Sequence, residues 1–160
     1  MNRFNRVHRS LSILFACIAA SHAAHADEDR RRTAVPLLPV YAQECAACHV
    51  AYPPGMLPSA SWRRLLSDLP RHYGTDASLD PATVKELATW LSANAATYKR
   101  VRETPPEDRI TKSAWFVRKH DEVPAAVWQR PGVKSAANCA ACHSQAAQGD
   151  FNEHSVRIPR

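Results

Sequence analysis

Cys45-Ala46-Ala47-Cys48-His49 and Cys139-Ala140-Ala141-Cys142-His143 are one pentapeptide written twice in a chain of 160 residues. Two residues between the cysteines let both sulfurs face the same side of one turn. The next residue then places an imidazole beside them. That arrangement suits a haem: each sulfur adds to one vinyl group as a thioether, and the histidine becomes the proximal iron ligand. A single copy could be a redox dithiol or half of a zinc knuckle. Two identical copies that use every cysteine but Cys17 point to two covalently attached haems c, held by Cys45, Cys48, Cys139 and Cys142.

Cys17 belongs to a segment with another purpose. Arg3, Arg6 and Arg9 precede an apolar run, Leu11 to Ala20, and Ala24-His25-Ala26 offers a small-residue cleavage site. Residues 1–26 thus read as a secretory signal peptide, which sends the chain to the periplasm. The apolar run falls well short of the ~20 residues needed to cross a bilayer. Leu14-Phe15-Ala16-Cys17 is only a loose lipobox, and nothing later is apolar enough to span a membrane.

Cleavage would remove three of the 21 basic residues and no acidic ones, so the formal charge falls from +6 to +3. Two haems add four propionates and roughly one positive charge per ferric iron, which brings the assembly near neutrality. The basic composition is therefore no argument for nucleic-acid binding. Arg30-Arg31-Arg32 reads as a solvated tail.

Five histidines remain: His49, His72, His120, His143 and His154. With His49 and His143 proximal, three compete for two distal positions. Met56 stands only seven residues after His49, between Pro53-Pro54 and Pro58, with little chain to pass the haem edge. His72 follows a helix expected from about Ser61 to Leu69, whose Trp62, Leu65, Leu66 and Leu69 share one face. Pro70 ends that helix, and Gly74 permits a turn after the histidine. His120 lies four residues after Phe116 on a short helix capped by Ser113, among apolar neighbours. His154, in a polar tail, is the alternative to His120 for the second iron. The expected ligands are His49 and His72 for one haem, His143 and His120 for the other.

Around these ligands no strand pattern is convincing, so the fold class is all-α. Asp80-Pro81 starts the clearest helix, with Val84, Leu87, Ala88, Leu91 and Ala95 as its apolar stripe. Trp90 and Tyr98 read as packing rather than relays. Thr104-Pro105-Pro106-Glu107-Asp108 reads as a linker between two small haem-binding domains, 27–104 and 105–160. The second has a short helix from Pro124 to Gln129 and a longer one expected from about Ala136 to Gln148, capped by Ser135 and ended by Gly149. So small a piece cannot build much of a core without its haem.

These segments resemble the small dihaem cytochrome c family of bacterial periplasms. The likeness is carried by Glu44-Cys45 through Pro54, Arg71-His72-Tyr73-Gly74 and Asp76 to Asp80. It continues through Trp115-Phe116 with His120, Asn138 to His143, and Val156-Arg157-Ile158-Pro159. It implies an N-terminal domain like class I cytochrome c, a minimal helical C-terminal haem domain, and bis-histidine ligation that falls on His72 and His120. It also implies electron donation to a monohaem, oxygen-binding c-type cytochrome, with a membrane cytochrome b as a plausible upstream donor.

Electron transfer is accordingly the expected function. Two axial imidazoles on each iron leave no open position, and the absence of axial methionine predicts low potentials. A dihaem peroxidase or ligand-binding haem protein would need one open iron. Glu44, Asp68 and Asp121 form no acid–base pair, so no catalytic residues are expected.

Overall fold

The computed structural model describes residues Val35–Arg160; residues 1–26, read as a signal peptide, and the Arg30–Arg32 cluster fall outside them. Five α-helices carry the described chain: α1 (Pro39–Cys45), α2 (Ser59–Ser67), α3 (Pro81–Asn94), α4 (Ala114–Lys119) and α5 (Ala125–Trp128). One-turn 3-10 segments join them, and the described residues contain no strand beyond two isolated bridges, His72–Thr75 and His143–Val156. The all-α expectation holds.

Local chemistry explains where these helices start and stop. Asp80 accepts from the Ala82 and Thr83 amides, and Pro81 takes the first helical position of α3. Hydrogen bonding from Thr83 holds the Asp80 carboxyl below its ordinary range, so this cap persists until the pH falls through that lowered value. Helix α2 begins two residues before the expected Ser61. It stops at Ser67, and Pro70 turns Leu69–Arg71 into a 3-10 segment that ends at His72. Ser113 caps α4 through its hydroxyl, which accepts from the Phe116 amide.

The first-half core gathers Tyr41, Ala51, Leu57, Trp62, Leu87, Leu91 and Ala95 from α1, α2, α3 and the loop after His49. Two buried polar tips are satisfied within it: Trp62 Nε1 donates to the Pro54 carbonyl at 2.8 Å, and Tyr41 Oη to the Tyr52 carbonyl at 2.7 Å. Leu87 is completely buried at the centre of α3. Leu87→Ala should lower unfolding stability by about 2–5 kcal/mol, measurable by denaturant titration of the holoprotein, because removed methylenes leave a cavity there.

The second half is thinner, with Phe116, Val127, Val133 and Ala146 as its buried apolar residues. The helix expected over 136–148 is absent; Cys139–Ala141 and Ala146–Gln148 are separate 3-10 turns. A continuous helix would direct the Cys142 carbonyl at the Ala146 amide. Instead it accepts from the Arg157 amide of the C-terminal tail at 2.8 Å, while Ala146 donates to His143. Ser135 caps a turn rather than a helix, accepting from the Ala137 amide. Gly149 does terminate the last turn, in the left-handed conformation at φ 77°.

The stretch read as a linker is not free chain. Arg64 of α2 grips Asp108 with two nitrogens at 2.6 and 2.8 Å, and Tyr73 Oη donates to the Glu107 carbonyl. Glu107 and Asp108 both adopt positive φ, 57° and 55°, a cost that those ties offset. Val35–Arg160 gathers into one compact unit.

Candidate haem centres

Each pentapeptide histidine meets a second histidine. His49, just beyond α1, lies with its ring centre 6.3 Å from that of His72, which follows α2 and its 3-10 extension. His143 lies 6.1 Å from His120, the residue that closes α4. A metal ion bonded at about 2 Å to one nitrogen of each ring holds two imidazole centres roughly 6 Å apart. The ring planes are 27° apart in the first pair and 71° apart in the second.

Hydrogen bonds fix the tautomer of one ring in each pair. His49 Nδ1 is 2.7 Å from the Val50 carbonyl, and His120 Nδ1 is 2.9 Å from the Phe116 carbonyl. A carbonyl only accepts, so the proton sits on Nδ1 and leaves the Nε2 lone pair for a metal. The partner rings, His72 and His143, have Nδ1 buried without a hydrogen-bond partner, as does Trp115 Nε1. Buried polar atoms without partners mark places where another group belongs. Burial, with the facing imidazole adding to it, lowers the pKa of both His72 and His143 and so favours the neutral form that ligation requires.

Aromatic rings surround both pairs. Tyr52 stacks on His49 at 4.7 Å and 18°, Phe116 on His120 at 4.0 Å and 20°, and Phe151 leans on His143 at 5.5 Å. Trp128 lies 5.9 Å from His120. Tyr52 also reaches the other half: its hydroxyl donates to the Ala137 carbonyl at 2.8 Å, two residues before Cys139. Sequence reading quoted Tyr52 only within a motif, because no local pattern announces a partner 85 residues away.

Cys45, Cys48, Cys139 and Cys142 carry no disulfide. Burial pushes the Cys45 thiol up to about 11 and raises Cys139 and Cys142 as well, the opposite of an activated redox thiolate. Among the described residues no three His, Cys, Asp or Glu side chains converge as a metal-binding group. Each centre offers two facing nitrogen donors with two sulfurs on an adjoining turn, and that donor set fits a covalently attached haem.

His154 stands exposed at the tail, its amide donating to the Asn152 side chain. The rings against His143 are those of His120 and Phe151. Met56 lies in the Pro54–Met56 turn, whereas the ring that faces His49 across a ligand-sized gap is that of His72.

Comparison with known proteins agrees with this geometry. Residues 41–151 match the dihaem cytochrome c family. The fold is similar to a solved diheme cytochrome type c from Shewanella baltica, 37% identical with a TM-score of 0.68 over 78% of this chain and 95% of that one. A crystal structure of the protein called DHC, purified from Rhodobacter sphaeroides, is 43% identical, with a TM-score of 0.64 over 73% of this chain and 99% of that one. A further diheme cytochrome c structure from Rhodobacter sphaeroides is 42% identical, with a TM-score of 0.66 over 73% and 98%. No protein with a curated functional description matches the chain. The cofactors are two covalently bound haem c groups, and the function is haem-based electron transfer. With two attachment loops, two facing imidazole pairs and a family match across most of its length, the chain belongs to the dihaem cytochrome c family.

Proposed function

We propose that this protein is an exported electron carrier in which both irons are closed by histidine on both faces. His49 and His72 hold the first iron and His143 and His120 the second, with Cys45, Cys48, Cys139 and Cys142 as the thioether anchors. The observation that carries the reading is the recurrence of one spacing, 6.3 and 6.1 Å between imidazole centres, at two unrelated positions in the chain. Bound haem supplies a reversible one-electron ferric/ferrous couple. The chain's part is to hold both irons rigidly and keep small ligands away from them. Val50 and Phe116 carbonyls orient two of the imidazoles, and stacked Tyr52 and Phe116 pin those same rings.

Export follows from residues 1–26, and the periplasm is the compartment they address. No helix among the described residues is long and apolar enough to cross a membrane. The protein divides into two haem-binding halves near residue 104, the first like class I cytochrome c. A monohaem, oxygen-binding c-type cytochrome as acceptor and a membrane cytochrome b as donor complete the proposal, both resting on the family resemblance.

The test is carbon monoxide added to the reduced holoprotein. Unchanged optical spectra at both haems are the expected result. Rapid uptake of one equivalent would expose an open iron and overturn the carrier reading in favour of a catalytic or ligand-binding one.

A further inference from the structure

The two halves differ in charge. Residues 35–108 carry seven basic and eight acidic side chains, a net of −1, whereas residues 109–160 carry eight and four, a net of +4. Pairing narrows that contrast but leaves the cations after residue 112 outside any ion pair among the described residues. The ion pairs among the described residues engage Arg64, Arg71, Arg109 and Lys112, all with Asp68, Glu107 or Asp108. Arg130, Lys134, Arg157 and Arg160 take part in none of them.

Hydrogen bonds tie the segments that carry Arg130, Lys134 and Arg157 to one another and to the second attachment loop, and Arg160 follows on the same tail. Arg157 donates its amide to the Cys142 carbonyl at 2.8 Å. Arg130 also donates to the Pro159 carbonyl, Pro159 packs on Gly132, and the Lys134 amide donates to the Arg130 carbonyl. On that tail Ile158, 48% exposed, stands between Arg157 and Arg160 in the chain. Arg118 and Lys119, exposed and unpaired among the described residues, precede His120.

We propose that this patch around the Cys142 edge is the docking surface for an acid-faced redox protein. The inference rests on the carrier reading, since a carrier must present one haem edge to its partner. A small apolar centre with a charged rim is the form of a transient interface, in which charge sets encounter rate and orientation rather than tight affinity. A surface that served anionic lipid would have no reason to centre on the thioether edge.

The test uses reduced, 15N-labelled holoprotein titrated with copper(I) plastocyanin, an acid-faced redox protein, at low and high ionic strength. Amide shifts should concentrate in residues 130–135, 139–145 and 156–160. Binding should weaken about tenfold or more once salt shortens the screening length to roughly 8 Å. Lys134→Glu/Arg157→Glu should remove the low-salt binding, while Lys85→Glu/Lys99→Glu, with the same change in net charge on the first half, should preserve most of it. Equal loss in both variants, or shifts on residues 35–108, would overturn the proposal. So would tight binding of the holoprotein to phosphatidylglycerol vesicles with none to plastocyanin. Carbon monoxide uptake is read separately, so failure of the carrier reading cannot be mistaken for failure of the surface.

Discussion

Replacing His120 with alanine should leave one of the two haems high-spin and able to take up about one equivalent of carbon monoxide per protein, while His154→Ala leaves both spectra unchanged. His120 faces His143 at 6.1 Å, with its Nδ1 held by the Phe116 carbonyl and its ring stacked on Phe116. Alanine offers the iron nothing in place of that nitrogen, and the apolar surroundings of Phe116 and Trp128 admit a small ligand rather than a new side-chain donor. His154 is exposed. Optical and low-temperature magnetic spectra of the two variants decide the matter. A high-spin haem in the His154 variant, with none in the His120 variant, would reverse the assignment.

The second large effect concerns folding. Cys139→Ala/Cys142→Ala should yield a protein with one haem whose residues from about 110 onward are cleaved at least tenfold faster by a protease, while the first half resists. The second half buries Phe116, Val127, Val133 and Ala146, few residues for about fifty positions. Its helices, six and four residues long, are too short to persist unaided. The first half keeps a core of seven buried residues from three helices and the loop after His49. Haem content per chain and the pattern of fragments give the readout. A second half that stayed resistant without its haem would show that the protein alone supplies its stability.

The readings that succeeded from sequence rested on short-range chemistry. Asp80-Pro81 fixes the start of α3 within two residues, and Ser113 with Phe116 fixes α4, because a cap and its amides are neighbours in the chain. The apolar face that Phe116 and Trp115 announce beside His120 is local in the same way, and the structure stacks Phe116 on His120. What sequence reading missed was long-range. Alanine-rich residues 136–148 have every local reason to be helical. The tail spanning Val156–Pro159 takes the Cys142 carbonyl and grips Arg130, and that pairing is invisible until the chain is folded. Thr104 to Asp108 looks like a linker because its prolines dominate; Arg64, 44 residues earlier, holds it down.

With both irons held as proposed, the twist between facing rings would make the two centres unlike. An imidazole donates π-electron density into the iron d orbital perpendicular to its plane. At 27°, His49 and His72 as proposed ligands would feed nearly the same orbital and split the π pair widely, giving a rhombic ferric signal. At 71°, His120 and His143 as proposed ligands would feed different orbitals and leave the pair almost degenerate, giving a strongly anisotropic one. Electron paramagnetic resonance should therefore resolve two low-spin species in equal amounts, each a label for one half of the chain. A reductive titration followed by those two signals would then show which half accepts the first electron.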